Sequence, residues 1–166
     1  EICNRILDLC CSIGSDSIAL AQYAPVMGID MDLIRLYIAH YNCSIWSLDP
    51  EIKLKELPCF IQADILNHLP LKINPDWGIF FDPSRRSMER RIKSVYSYQP
   101  PLSIIHQWLS FIKGIGVKLS PAVAYYELAP YLDQGAELEF ISIYRELKEA
   151  VLWFNELSTT TRRATL

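Results

Sequence analysis

The sequence predicts an α/β domain, a mostly parallel sheet with helices on both faces and an antiparallel hairpin at its C-terminal end. Three observations carry this. Short apolar runs alternate with stretches of helical periodicity along most of the chain. Asp residues stand at or just after the ends of these runs, at Asp30, Asp64 and Asp82, with Asp8 inside the first. Near the C-terminus two alternating apolar–polar stretches flank a short polar turn, the pattern of a hairpin.

The elements follow in order. Arg5 to Leu9 is a short apolar run, read as a buried strand. After Gly14, Ser15 to Tyr23 has apolar residues at helical spacing, with Ser15 or Asp16 as the cap, and Pro25 stops it. Val26 to Ile29 is a second strand, with Asp30 at its carboxyl end. A longer helix spans Met31 to Trp46, and Asp49-Pro50 breaks it. Glu51 to Leu57 reads as helix or loop. Cys59 to Ala63 is the third strand and Trp77 to Phe81 the fourth. Ser84 to Pro101 lacks periodicity and reads as a long connection. Leu102 to Ile112 reads as a helix, Gly116 to Leu119 as a fifth strand, and Ala122 to Leu132 as a helix. Glu137 to Tyr144 and Ala150 to Leu157 form the hairpin, which makes seven strands. Residues 158–166 are expected to fray beyond a domain at 1–157. The abrupt start at Glu1, a strand almost at once, reads as a domain taken from a longer chain with a flanking domain.

Composition excludes several classes. At 166 residues, 51% hydrophobic and 21% charged, the chain can bury a real core and is not disordered in character. A net charge of -3 argues against coating nucleic acid by bulk charge. No apolar run reaches the roughly 18 residues of a membrane span. Five cysteines without a CxxC pair, and three scattered histidines, do not make a zinc site, so no metal is expected. The odd cysteine count, with no secretory signal, favours reduced thiols and a cytoplasmic protein.

The first loop carries the strongest chemistry. It reads Asp8-Leu9-Cys10-Cys11-Ser12-Ile13-Gly14-Ser15-Asp16. In open α/β sheets ligands bind at the carboxyl ends of strands. A dinucleotide site wants glycines so that the backbone can approach a pyrophosphate. A Cβ at Cys10 and Ser12 would crowd that group, which disfavours a nicotinamide cofactor. S-adenosylmethionine (SAM) has no pyrophosphate and tolerates small side chains there. Asp30, followed by Met31, suits the two ribose hydroxyls, which one carboxylate can accept together. Asp64 suits the adenine amino group, and Ile65 a face of the ring.

These residues carry a resemblance. DLCCSIGSDSIALA, covering Asp8, Cys10, Ser12, Gly14 and Asp16, resembles the first motif of class I SAM-dependent methyltransferases, D-x-G-x-G-x-G. GIDMD, covering Asp30 and Met31, resembles their acidic second motif. FFDPSRR, YQPPLS, VKLSP and EAVLWF are similar to a bacterial family with a DPARR-type motif and often a THUMP-like domain. The set spans Asp8 to Phe154. It implies the Rossmann-like class I methyltransferase fold, SAM as cofactor, and methyl transfer as the activity. Cys10 and Ser12 depart from the motif's glycines.

Asp82-Pro83 stands where methyltransferases of exocyclic amino groups carry D-P-P followed by an aromatic. Asp82 and the backbone at Pro83 are the candidate catalytic pair, holding acceptor N–H groups so that a nitrogen lone pair points in line at the methyl. Pro83 holds Asp82 extended. Ser84 and Arg85 replace the second proline and the aromatic, so Tyr96 or Tyr98 is the candidate platform for a flipped base. Arg85, Arg86, Arg90, Arg91 and Lys93 form a basic cluster opposed only by Glu89, suited to phosphate oxygens and hence to RNA. Lys118, at the end of the fifth strand, is a further candidate for substrate binding. A methyl acceptor in RNA, favoured at a base nitrogen, is the leading expectation. A protein or small-molecule acceptor, or a non-catalytic SAM-binding module, are the alternatives.

Overall fold

The computed structural model describes residues 2–67, 69–84 and 94–166. The chain divides into two compact units, one ending at Phe81 and one running Asp82–Leu166.

The first unit alternates strand and helix. β1 is Arg5–Leu9, α1 Ser15–Leu20, β2 Val26–Asp30, α2 Leu33–Trp46, β3 Cys59–Gln62 and β4 Trp77–Phe81. All four strands pair in parallel in the order β3-β2-β1-β4. Asp8 stands opposite Gly28 on one side and Phe80 on the other. The order reverses at β1, with β2 and β3 to one side and β4 to the other, which is the switch point where such sheets bind ligands. The inner strands are buried on both faces, as their unbroken apolar runs require: Leu7, Leu9, Ile29 and Phe81 are wholly enclosed. α2 starts at an Asp32 cap that accepts from the Ile34 and Arg35 N–H groups. It buries Leu36, Ala39 and Cys43, yet Ile34, Tyr37 and Tyr41 stand exposed, so the helix is apolar on both sides.

The second unit holds β5 (Gly114–Leu119), α3 (Tyr125–Leu132), β6 (Glu137–Ile143), β7 (Glu146–Asn155) and β8 (Arg162–Thr165), ordered β5-β7-β6-β8. β7 runs antiparallel to β5 and β6, while β8 runs parallel to β6. Tyr144 and Arg145 close the hairpin with φ of 53° and 64°. Two consecutive left-handed residues match the twist of the strands they join. Tyr98, Leu102, Ile105, Ile115, Leu128, Leu138 and Leu152 form the core of this unit.

Several boundaries differ from the sequence reading. The tail expected to fray instead supplies β8, so eight strands are described rather than seven. The reason is tertiary: the fully buried carboxylate of Glu137 accepts from the N–H groups of Thr159 (2.7 Å) and Thr160 (3.0 Å) and pairs with Arg163 at 2.7 Å. Glu139 accepts from Trp153 Nε1 at 2.7 Å and from Thr165 Oγ1, holding the far end. Leu102–Gln107 is a 3₁₀ segment, not the start of an α-helix. Leu102, Ile105 and Trp108 are buried at a spacing of three, which suits three residues per turn. α1 ends at Leu20, and residues 51–57 form turns without a helix.

Candidate cofactor and transfer sites

The loop after β1 is built from alternating left-handed residues. Cys10 (φ 64°), Ser12 (φ 49°) and Gly14 (φ 83°) all lie in that region. These are the positions where the resembling motif has glycine, so the backbone keeps the glycine conformation although two side chains have returned. Each non-glycine there costs roughly 1–2 kcal/mol. The surroundings hold the strain in place. Cys10 and Cys11 N–H both donate to the Ile29 carbonyl, at 2.8 and 3.1 Å, and Gly14 N–H donates to the Cys11 carbonyl at 2.9 Å. Asn42 of α2 donates from Nδ2 to the Ile13 carbonyl at 2.9 Å, gripping the loop's outer turn. Asp8 is fully buried beneath and accepts a short hydrogen bond from Ser17 Oγ. Gly28 lies close below, since a Cβ there would sit 2.9 Å from Cys11 Sγ and 2.6 Å from the Phe60 ring.

Asp30 ties the loop to the second strand. One carboxylate oxygen accepts from Ser12 N–H at 3.0 Å, the other from Asp32 N–H at 2.9 Å. Each oxygen has a further lone pair, so the group retains capacity for two hydroxyls. The neighbouring Met31 is 69% exposed, and Gln62 Nε2 fixes its carbonyl at 3.1 Å. Asp64 is half-buried, and its oxygens accept from Leu66 N–H and Asn67 Nδ2, both at 2.9 Å. Ile65 is 4% exposed, which leaves an edge rather than a face at the surface; Met31 is the apolar side chain that stands out beside Asp30. Asp16 is half-buried in the first turn of α1. Burial pushes the Cys11 thiol up, with the Asp8 and Asp30 carboxylates adding to it. Burial, then Asp8, raises Cys43 to about 11. Both thiols are therefore protonated at neutral pH. A loop opened by left-handed residues above a carboxylate with spare acceptor capacity fits an adenosyl cofactor lacking a pyrophosphate.

Asp82 and Pro83 directly follow β4 in the chain. Lys118, the penultimate residue of β5, brings its Nζ to 3.5 Å from Asp82 Oδ2 and 3.8 Å from Glu149 Oε2. Ser84 and Gln99 exchange two backbone hydrogen bonds, 2.9 and 3.2 Å, closing the connection at its neck. Its exit is fixed by Glu127, which accepts from Ser94 Oγ (2.9 Å) and Val95 N–H (2.8 Å). Tyr98 is not available as a stacking platform. It is 1% exposed and its hydroxyl accepts from Ser120 N–H at 3.0 Å. Tyr96 is 62% exposed and is the aromatic that remains. Arg85, Arg86, Arg90, Arg91 and Lys93 lie outside the described residues.

The sequence reading missed Ser17, Asn42, Gln62 and Glu149. Asn42 had a signal, since it is polar within the mostly apolar α2, whereas Ser17 follows Ser15 and Asp16 in a half-polar α1 and had none. Glu149 had none, because only pairing of β5 with β7 brings it to Lys118. Among the described residues no three His, Cys, Asp or Glu side chains gather as a metal would need, and no helix is long and apolar enough to cross a membrane.

Comparison with known proteins bears on this geometry. Residues 3–83 match the family of RNA cap guanine-N2 methyltransferases. Two S-adenosylmethionine-dependent methyltransferases of Mycobacterium tuberculosis, from strains CDC 1551 and H37Rv, are each 30% identical over 157 residues, 92% of this chain and 39% of theirs. The chain thus spans about two fifths of the length of these curated relatives. An rRNA methylase of Streptococcus thermophilus shares the fold at a TM-score of 0.60 and 13% identity, over 95% of this chain and 89% of its own. The N-terminal domain of human METTL16, in complex with S-adenosylhomocysteine (SAH), does so at a TM-score of 0.64 and 13% identity, over 93% and 62%. The fold is the α/β Rossmann-like methyltransferase fold.

Proposed function

We propose that this chain is the cofactor-binding and methyl-transferring domain of an RNA methyltransferase, acting at a base nitrogen. The observation that carries the reading is the loop from Cys10 to Gly14, left-handed at every second residue and fastened to Asp30. RNA is supported by the family matched over residues 3–83, by the likeness to an rRNA methylase, and by the basic sequence from Arg85 to Lys93. In this reading Asp30 accepts the ribose hydroxyls, Met31 flanks them, and Asp64 with Ile65 borders the base. Asp8, with Ser17, supports the loop from below.

SAM held by the Cys10–Gly14 loop, Asp30 and Asp64 would supply an electrophilic methyl group for an acceptor nitrogen. Asp82 accepts an acceptor N–H and fixes the direction of the lone pair, while Pro83 restricts the backbone that presents it. The arginine cluster holds phosphates, by forked hydrogen bonds.

The test has two stages. Calorimetric titration of the chain with SAH should give micromolar binding that Asp30→Ala removes. Tritiated methyl-SAM with total RNA should then label RNA in the wild type and not in Asp82→Asn. SAH binding with no labelled RNA would reject the RNA acceptor in favour of a protein, a small molecule or a non-catalytic module. No SAH binding would reject the cofactor site itself.

A further inference from the structure

We propose that the outer face of α2 is a self-association surface, on which a second copy of this chain seats its own α2 antiparallel across a twofold axis.

α2 carries two apolar faces, and its own fold uses one of them. At about 3.6 residues per turn, Leu36, Ala39 and Cys43 fall together and are buried. Ile34, Ile38, Tyr41 and Ile45 fall together on the opposite side. Leu48, just past the helix end, continues that line, and Tyr37 flanks it. These six side chains are between 42 and 77% exposed. From Ile34 to Leu48 the steps alternate between four and three residues, the seam of a helix that packs along another helix.

The make-up of the seam selects its occupant. No charged residue lies in it; Arg35 stands beside it, paired with Asp32 at 3.4 Å. Arg35 is the one Lys or Arg of α2, whereas helices that lie on membranes are rich in both. From Ile34 to Ile45 the spacing reads the same in both directions. An antiparallel twofold therefore sets Ile34 against Ile45 of the second copy and Ile38 against its Tyr41, and each contact is made twice. The two helix dipoles oppose each other in that pairing. At about 200 Å² for a fully exposed side chain of this size, the six present roughly 750 Å² per copy. The largest apolar patch of a typical monomer is about 300–600 Å². A pair buries up to about 1,500 Å², within the span of specific, stable interfaces.

The experiment is sedimentation of the chain over a concentration series reaching about 100 μM, with a monomer–dimer equilibrium expected. Ile38→Glu should weaken the dimer at least about tenfold. Ile34→Glu and Ile45→Lys should each weaken it, and the double variant Ile34→Glu/Ile45→Lys should regain about tenfold over either, because antiparallel pairing sets the new charges against each other. All these positions are exposed, so thermal unfolding at a concentration where the wild type is monomeric should be unchanged in every variant. A wild type that stays monomeric throughout, or a dimer that Ile38→Glu leaves intact, overturns the proposal. A dimer lost in both single variants and not regained in the double overturns the antiparallel pairing.

Discussion

Single residues set the loop after β1, and their conformations make opposite predictions at neighbouring positions. Gly14 has φ 83°, and a Cβ there would sit 3.0 Å from Ala39 Cβ. Gly14→Ala should therefore cost about 2 kcal/mol or more, from backbone strain and overpacking together, and weaken SAH binding. Cys10 and Ser12 already bear the left-handed strain. Cys10→Gly and Ser12→Gly should each stabilise the chain by up to about 1 kcal/mol, strain relieved less the added freedom of the unfolded glycine. Urea midpoints of the three variants check both signs. The cysteines add a reactivity prediction. With its pKa raised to about 11 by burial and then Asp8, Cys43 has roughly a thousandth of its thiol ionised at pH 8. Cys11 is pushed up further by burial and two carboxylates, whereas Cys59 is exposed. Iodoacetamide at pH 8, read by mass spectrometry, should label Cys59 well ahead of both.

Among the elements, β8 shows how a polar sequence earns a place in a sheet. All four of its residues are exposed, so no hydrophobic drive recruits it. The recruiting groups are buried acids on its partner, Glu137 and Glu139. Burial alone would raise the Glu137 carboxyl. The Thr159 and Thr160 N–H groups, Arg163 and the Thr159 hydroxyl overcome that and hold it below the usual carboxylate value. A group lowered in the folded chain contributes stability above its unfolded pKa and loses it as pH falls through the folded one. Protection of the amides at 159–165, taken relative to their intrinsic exchange rates, should accordingly fall as the pH drops below about 4, while the β6–β7 hairpin stays protected. Glu137→Gln should release the same segment at neutral pH and cost about 1.5–3 kcal/mol.

For the whole molecule, ligand linkage provides the broadest test. SAH at a hundred times its Kd should stabilise the chain by about 2.7 kcal/mol, a rise in Tm of roughly 5–10 °C. Asp30→Ala should abolish that rise while leaving β6, β7 and β8 folded.

The sequence by itself determined the order of strands and helices in the first unit, because parallel strands buried on both faces read as unbroken apolar runs and each ends in a turn signal. β1 and β4 have the residues expected, and Asp30, Asp64 and Asp82 fall at the ends of strands or just beyond them. It also picked out the loop after β1, since Asp8 to Asp16 is a contiguous motif. Tertiary structure alone decided what depends on residues far apart in the chain. β8 exists because Glu137 is 22 residues from Thr159 but bonded to it. Tyr98 was excluded as a platform by Ser120, and Lys118 met Glu149 only once β5 paired with β7. Periodicity reports which face of an element is apolar, whereas a buried charge is placed by partners that no local pattern encodes.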